Sequence, residues 1–240
     1  MGRHIFGQLD STNAEAVRLA GHAPAWVMAA EQTAGRGRRA RPWASPRGNF
    51  HATLILRPDE PAATVALRSF AAALALYDAC VALTGLPAAF ALKWPNDVLL
   101  NGGKLAGILL ESHGAGAGVA HLCIGIGVNL IAAPEASQVE PGALLPVSLL
   151  AETGLRIEPE AFLNALAPAY ARWEASLTTQ GFAPLRRAWL SHAARIGEPI
   201  TARTGSQTRH GIFDTIDDTG ALILRTAQGP VAIPAAEVFF

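Results

Sequence analysis

An α+β fold is predicted for this chain, a mixed β-sheet with helices packed on it and a small β-barrel-like unit at the C-terminus, and three observations predict it. Strand patterns crowd the first half, at residues 25–30, 49–56, 90–94, 98–100, 105–111 and 119–130. Helical patterns rich in alanine and leucine stand beside them, at 11–20, 62–83, 159–178 and 184–193. Beyond about residue 195 the pattern changes to short strands, 199–203, 208–216, 221–225 and 231–233, separated by turn residues at 217–220 and 228–230. The division this implies is a larger unit, 1–194, and a unit of 195–240 too small to be stable without leaning on the larger one.

Composition bounds what such a fold does. With 240 residues, a real hydrophobic core is available. The 19 basic and 19 acidic residues leave no net field, which excludes a general nucleic-acid binder. Cys80 and Cys123 are too few for a disulfide scaffold and lack paired zinc spacing, so a reducing, cytoplasmic setting is expected. Residues 1–10 contain no signal-peptide h-region. The apolar stretch 62–83 is broken by Arg68 and Asp78, charges that are costly at a bilayer centre, so it reads as a core helix and no membrane span is expected. Hydrolases gain no support, because there is no Gly-x-Ser-x-Gly elbow and the histidines show no metal-ligand rhythm.

Among the strands, the join at Asn101-Gly102 is the clearest, because a type I′ hairpin turn wants positive φ at both central residues. With those two residues as the loop, Lys104 stands opposite Leu99 and on the sheet face of Asp97, roughly 7–8 Å away on the diagonal. The run Gly114-Ala115-Gly116-Ala117-Gly118 reads as a second hairpin connection. The hairpin region also holds the chain's two lysines, Lys93 and Lys104, all other basic residues being arginine. An ammonium is a compact point charge that the wide guanidinium fork does not replace in a tight site.

Four segments carry candidate chemistry. Residues 32–49 hold five arginines (Arg36, Arg38, Arg39, Arg41, Arg47) and three glycines, a pattern no core packing explains. Glycines let backbone amides approach an anion, and guanidiniums grip carboxylate or phosphate oxygens in pairs. Gly35 to Ala40 matches the G-x-G-x-x-A dinucleotide fingerprint, but Pro42 and Pro46 forbid the helix the fingerprint must open. A phosphate-binding P-loop fails too, since Gly103-Lys104 is followed by leucine. The second segment is Lys93-Trp-Pro-Asn-Asp97 with Asn101-Gly-Gly-Lys-Leu-Ala-Gly-Ile-Leu-Leu-Glu111. The third is Gly125-Ile-Gly-Val-Asn-Leu130. The fourth, Asp10-Ser-Thr-Asn13, is by itself a good helix N-cap.

Together these segments resemble the catalytic core of the biotin protein ligases, over about residues 10–130 and in that family's order and spacing, and residues 195–240 look like its terminal SH3-like barrel. The resemblance implies a class II synthetase-like core, with ATP, Mg²⁺ and biotin as reactants and cofactors. It implies that Ser11, Thr12, Asn13 and Gln32 bind biotin's ring system, neutral groups suited to a neutral ureido ring. Arg36, Gly37 and Arg38 belong to the loop folding over biotin and its adenylate, and Lys104 lies near the biotin carboxylate. Arg38, Arg41, Trp43, Lys93, Asn96 and Asn129 fall near ATP, and Asp97 is a candidate Mg²⁺ ligand and a base for the acceptor lysine. Arg36, Arg38, Lys104 and Asp97 are thus the implied catalytic group, and the arginine loop a candidate lid.

The activity implied is ATP-dependent formation of biotinyl-5′-AMP and transfer of biotin to a lysine of a biotin carboxyl carrier protein domain, by a monomer or homodimer. Only ten residues precede Ser11, so the DNA-binding domain of bifunctional relatives, and with it DNA binding, is not expected. A lipoate protein ligase is the alternative within the same chemistry. A nucleotide- or RNA-binding module built on the arginine loop is the alternative of another class. Ala40 departs from the family pattern, where a glycine follows the paired arginines, and would be strained if that position needs positive φ.

Overall fold

A computed structural model of the protein describes residues 1–114, 118–139, 142–205 and 207–240. Residues 115–117, the middle of the glycine-alanine run expected to join two strands, lie outside the described residues. The first sheet has seven strands, β1 (Gly2–Phe6), β2 (Ala25–Ala29), β3 (Phe50–Leu56), β4 (Phe90–Lys93), β5 (Asp97–Leu100), β6 (Gly103–His113) and β7 (His121–Val128), in the order β1-β2-β3-β7-β6-β5-β4. Only the β1–β2 pair is parallel. This is the predicted mixed sheet, with one strand the sequence reading lacked: β1 alternates weakly, and Ile5 points outward at the sheet edge, 52 % exposed.

Two layers of helix sandwich this sheet. On one face lies α1 (Thr12–Arg18), seated over β2, β3 and β7 through Ala16, which packs with Ala25, Val27, Ile55 and Cys123. On the other face α3 (Arg68–Thr84), α5 (Pro159–Gln180) and α6 (Phe182–Ser191) bury the main core, and the short α2 (Ala62–Ala66) and α4 (Leu149–Thr153) flank them. The helix predicted over 62–83 is therefore two helices meeting at Leu67. Just beyond the break Arg68, 3 % exposed, is held by Glu60 (2.9 Å) and Glu174 (2.8 Å), a pairing a buried guanidinium requires. The segment Ala62–Thr84 is long and apolar enough to cross a membrane by composition, but it is a core element, with 67 % of its most apolar stretch buried.

The second sheet is antiparallel: β8 (Pro199–Arg203), β9 (Thr208–Ile216), β10 (Leu222–Thr226), β11 (Gly229–Ile233) and β12 (Glu237–Phe239), ordered β11-β10-β9-β8-β12. Strand β12 was not anticipated, being three residues long after a turn. This unit does lean on the larger one. Phe213, Ile216 and Leu222 belong to the same buried cluster as Phe70 and Trp189, and the Trp94 indole donates to the Gly220 carbonyl at 3.1 Å.

Strand alternation decides where a site can form. On β3, β6 and β7 the residues Ala52, Leu54, Ala106, Ile108, Ile124, Ile126 and Val128 face the large core. Their neighbours form rows across the opposite face: His51–Gly127–Gly107–Asp97, then Thr53–Gly125–Leu109. Three glycines in those rows leave the centre of that face without side chains.

Candidate active site

A cavity of about 980 Å³ opens on this glycine-lined face. The residues singled out from the sequence, Ser11, Thr12, Asn13, Gln32, Arg36, Gly37, Arg38, Arg41, Trp43, Lys93, Asn96, Asp97, Lys104 and Asn129, all line it. The glycines are needed for space. A Cβ on Gly125 would sit 2.3 Å from Asn13 Oδ1, and one on Gly127 would sit 2.5 Å from Trp43 Nε1, so only hydrogen at these positions lets α1 and the Trp43 ring lie against the sheet.

One part of the cavity is lined by amides and hydroxyls, with the Glu111 carboxylate beside them. Ser11 is the N-cap of α1 but makes no side-chain cap bond, so the bland capping role is not used and its side chain lines the cavity. Gln32 Oε1 accepts from the Thr12 amide (2.8 Å) and hydroxyl (3.0 Å), while its Nε2 donates to Ser45 Oγ (2.8 Å). Thr53 Oγ1 donates to Asn13 Oδ1 at 2.6 Å, and Asn13 Nδ2 donates to Glu111 at 2.6 Å. Each amide is thereby oriented, which matters because an unpaired buried polar group costs about 1–3 kcal/mol. Ser45, Thr53 and Glu111 were missed from sequence. The period-2 pattern of β3 and β6 placed Thr53 and Glu111 on the open face, but nothing local marked them as partners of Asn13.

In another part the groups are charged. The hairpin turns on Asn101 (φ 49°) and Gly102 (φ 82°), Lys104 stands opposite Leu99 as expected, and a bulge next to Leu105 brings Lys104 Nζ to 2.7 Å from Asp97 Oδ1. Lys93 Nζ lies 3.7 Å from the other Asp97 oxygen, and Lys104 also sits 5.7 Å from the centre of the Trp43 ring. Burial pushes the Asp97 carboxyl up, but Lys104 and Lys93 outweigh it and hold the carboxyl below its ordinary value. Burial likewise pulls the Lys93 ammonium down, against the pull of Asp97. Asn96 links strand to loop, donating to the Ile108 carbonyl at 2.7 Å and accepting from Arg38 at 3.4 Å. Asn129 donates to the Val147 carbonyl at 3.1 Å, fixing the segment that borders Lys104.

Two roles are expected of Asp97, a base and a Mg²⁺ ligand. Its carboxylate lies between two ammoniums and is held below its ordinary value, which makes it their counter-ion. Among the described residues no three acidic, histidine or cysteine side chains gather, so a Mg²⁺ here would rest on Asp97 and substrate phosphates rather than on a protein cage, and no chemical step is derived through it.

The arginine loop arches over the cavity mouth. Gly37 donates to the Arg41 carbonyl (2.8 Å) and Trp43 to the Gly35 carbonyl (2.9 Å), so residues 35–43 form a closed loop rather than the opening of a helix. Arg36 Nη2 reaches Glu111 at 3.9 Å, and burial pulls down the otherwise high proton affinity of Arg38. Arg39 (φ 56°) and Ala40 (φ 57°) both occupy the left-handed region, so the strain anticipated at Ala40 is present. Ala40→Gly is expected to stabilise the protein by up to about 1 kcal/mol, because removing the Cβ clash outweighs the added freedom of the unfolded chain. Thermal unfolding reads this directly, and an unchanged or lowered midpoint would show that the left-handed turn is not strained.

A model described as "Biotin/lipoate A/B protein ligase family" matches residues 7–129, and one described as "Biotin protein ligase C terminal domain" matches residues 196–240. The chain is 61 % identical to a biotin--[acetyl-CoA-carboxylase] ligase of Paracoccus denitrificans, over 98 % of this chain and 99 % of that one. It is 35 % identical to a bifunctional ligase/repressor BirA of Bacillus subtilis, over 99 % of this chain and 74 % of that one. A biotin protein ligase from Aquifex aeolicus, solved with biotin and ATP, shares its fold with a TM-score of 0.83 at 23 % identity, covering 99 % of this chain and 97 % of that one.

Proposed function

The chain belongs to the biotin/lipoate A/B protein ligase family, within the biotin ligase enzyme class, and from that premise we propose that it activates biotin with ATP as biotinyl-5′-AMP and passes the biotinyl group to a lysine of a biotin carboxyl carrier protein domain. One observation carries the reading: a single cavity brings together oriented amides and the cations Lys93, Lys104, Arg36 and Arg38. In this reading residues 1–194 carry the biotin and ATP site, and residues 195–240 form the smaller terminal unit.

The two sets of groups suit the two reactants. Biotin's ureido ring is neutral and polar, and Thr12, Asn13, Gln32 and Ser11 offer it hydrogen-bonding atoms already fixed in place. Its carboxylate then extends toward Lys104. A carboxylate oxygen attacks the α-phosphate of ATP, the bond to the β-phosphate oxygen breaks, and pyrophosphate leaves. Both reactants are anions, and two unit charges at 4 Å repel by about 4 kcal/mol at an effective dielectric of 20. Lys104, Arg36 and Arg38 offset that repulsion, and the buried Asp97 keeps the two ammoniums from diverging. In the second step the acceptor lysine, as the free amine, attacks the biotinyl carbonyl. An amide forms, AMP leaves, and the amine proton passes to solvent or phosphate.

The test is an isotope exchange between ATP and pyrophosphate. Exchange is expected with biotin and not with lipoate, followed by transfer of labelled biotin to a purified carrier domain. Exchange supported by lipoate instead would make the chain a lipoate ligase, and none with either acid would end the proposal.

A further inference from the structure

The amides and hydroxyls of the cavity hold more acceptors than hydrogens. Four oxygens run in a chain: Asn13 Oδ1 lies 2.6 Å from Thr53 Oγ1, Thr53 Oγ1 lies 2.9 Å from Thr12 Oγ1, and Thr12 Oγ1 lies 3.0 Å from Gln32 Oε1. Each of these three contacts needs a hydrogen, and only the two hydroxyls, of Thr12 and Thr53, have one to give. Gln32 supplies none, because its Oε1 receives the Thr12 amide and its Nε2 donates away to Ser45. Thr53 is fully buried whereas Thr12, Asn13 and Gln32 line the cavity, so a third hydrogen has to arrive from the cavity side.

Glu111 creates this shortfall. A carboxylate only accepts, so its 2.6 Å contact with Asn13 makes the amide present Nδ2 to Glu111 and leaves Oδ1 for Thr53. Turned the other way, Asn13 would donate from Nδ2 to Thr53, supply the third hydrogen, and close the chain within itself. With Glu111 in place the Thr53 hydrogen is committed to Asn13, and the Thr12 hydrogen serves either Thr53 or Gln32. One oxygen on the cavity wall therefore stays open as an acceptor. The groups stand on α1, β3 and β6 and on Gln32, outside residues 35–43.

We propose that Glu111 is a positioning residue that sets ligand specificity: acting through Asn13, it makes this part of the cavity demand a ring N–H donor, which a cyclic urea carries and a cyclic disulfide lacks. The ligand assignment rests on the biotin ligase reading, whereas the polarity of the chain of contacts does not. The other Glu111 oxygen faces Arg36 at 3.9 Å, beyond hydrogen-bond distance. A carboxylate working on Arg36 works by its charge, and one working on Asn13 works by accepting. Glutamine separates the two, because it keeps an acceptor and loses the charge.

Glu111→Leu and Glu111→Gln in the full chain test this. In biotin-dependent ATP–pyrophosphate exchange, Glu111→Leu is expected to raise KM for biotin about tenfold, the equivalent of one hydrogen bond, and KM for ATP by less than about threefold. Glu111→Gln should stay within about threefold of wild type in both. Thr53→Val removes the same shortfall from the other side, leaving one contact and one hydrogen, and serves if Glu111→Leu folds poorly. Its loss should match that of Glu111→Leu, and the double variant should be no worse than either alone. Equal losses in Glu111→Leu and Glu111→Gln, or a wild-type KM for biotin in both Glu111→Leu and Thr53→Val, would overturn the proposal. In the ligand-free protein, the Asn13 side-chain amide signals of a proton–nitrogen correlation spectrum are expected to move in Glu111→Leu and hold in Glu111→Gln, and signals unmoved in Glu111→Leu would also overturn it. Should the wild-type protein show no biotin-dependent exchange, the functional reading falls, and these signals still decide the polarity.

Discussion

Lys104→Gln is expected to slow biotin-dependent ATP–pyrophosphate exchange by about 10²–10³-fold, the usual cost of removing one preorganised charge from where negative charge meets negative charge. The reason lies in its placement. Its ammonium is held from one side by Asp97 at 2.7 Å and from another by the Trp43 ring at 5.7 Å, so it is fixed before either anion enters and needs no reorganisation during the reaction. Lys104→Arg should recover little, because the planar fork does not fit the space between Asp97 and the indole that a single nitrogen occupies. Biotin binding should weaken less than turnover, since the proposed reading gives the ureido end to Thr12, Asn13 and Gln32. Single-turnover formation of the adenylate separates the two effects. An exchange rate within about threefold of wild type would remove Lys104 from the chemistry.

Asp97→Asn is expected to cost about 3 kcal/mol of stability, because it leaves two ammoniums facing each other with no charge between them. This is the lower part of the range for breaking a buried pair, since the Lys104 side chain is 31 % exposed and partly screened. At about 2–4 °C per kcal/mol for a chain of this size, the unfolding midpoint should fall by roughly 10 °C. The pH dependence follows in sign. The Asp97 carboxyl is held below its ordinary value of 3.8 in the fold, so the unfolded chain binds its proton first as pH falls. The stability it contributes is complete above that ordinary value and disappears as pH drops through the lower, folded one. The gap between wild type and variant in urea unfolding should therefore be full at neutral pH and shrink below about pH 4. A gap that stays constant into acid would show that the aspartate acts through packing and not through charge.

Much of this site was legible before any coordinates. Turn chemistry is local, and Asn101-Gly102 alone placed Lys104 opposite Leu99. Strand period is local too, and the alternation that sets Thr53, Gly107, Gly125 and Gly127 on one face emerged once the register was known. The prolines at 42 and 46 excluded a helix from the arginine loop, and the loop is indeed closed by its own backbone. Ala40 was flagged as a position where positive φ would strain the chain, and it has that φ.

What sequence alone determined, then, is the α+β class and the position of the hairpin, because each depends on φ preferences and side-chain periods within a few residues, while the segments that meet in the cavity were marked by their resemblance to the biotin protein ligases. What only the tertiary structure decided is which charges are paired with which. Asp97 is the counter-ion of two lysines, and Glu237, one of 19 acidic residues with no local feature to distinguish it, pairs with Arg39 and Arg41 of the arginine loop. A counter-charge is chosen by distance in space, and when the partners stand 198 positions apart that distance is set by how two sheets pack, which no local pattern encodes.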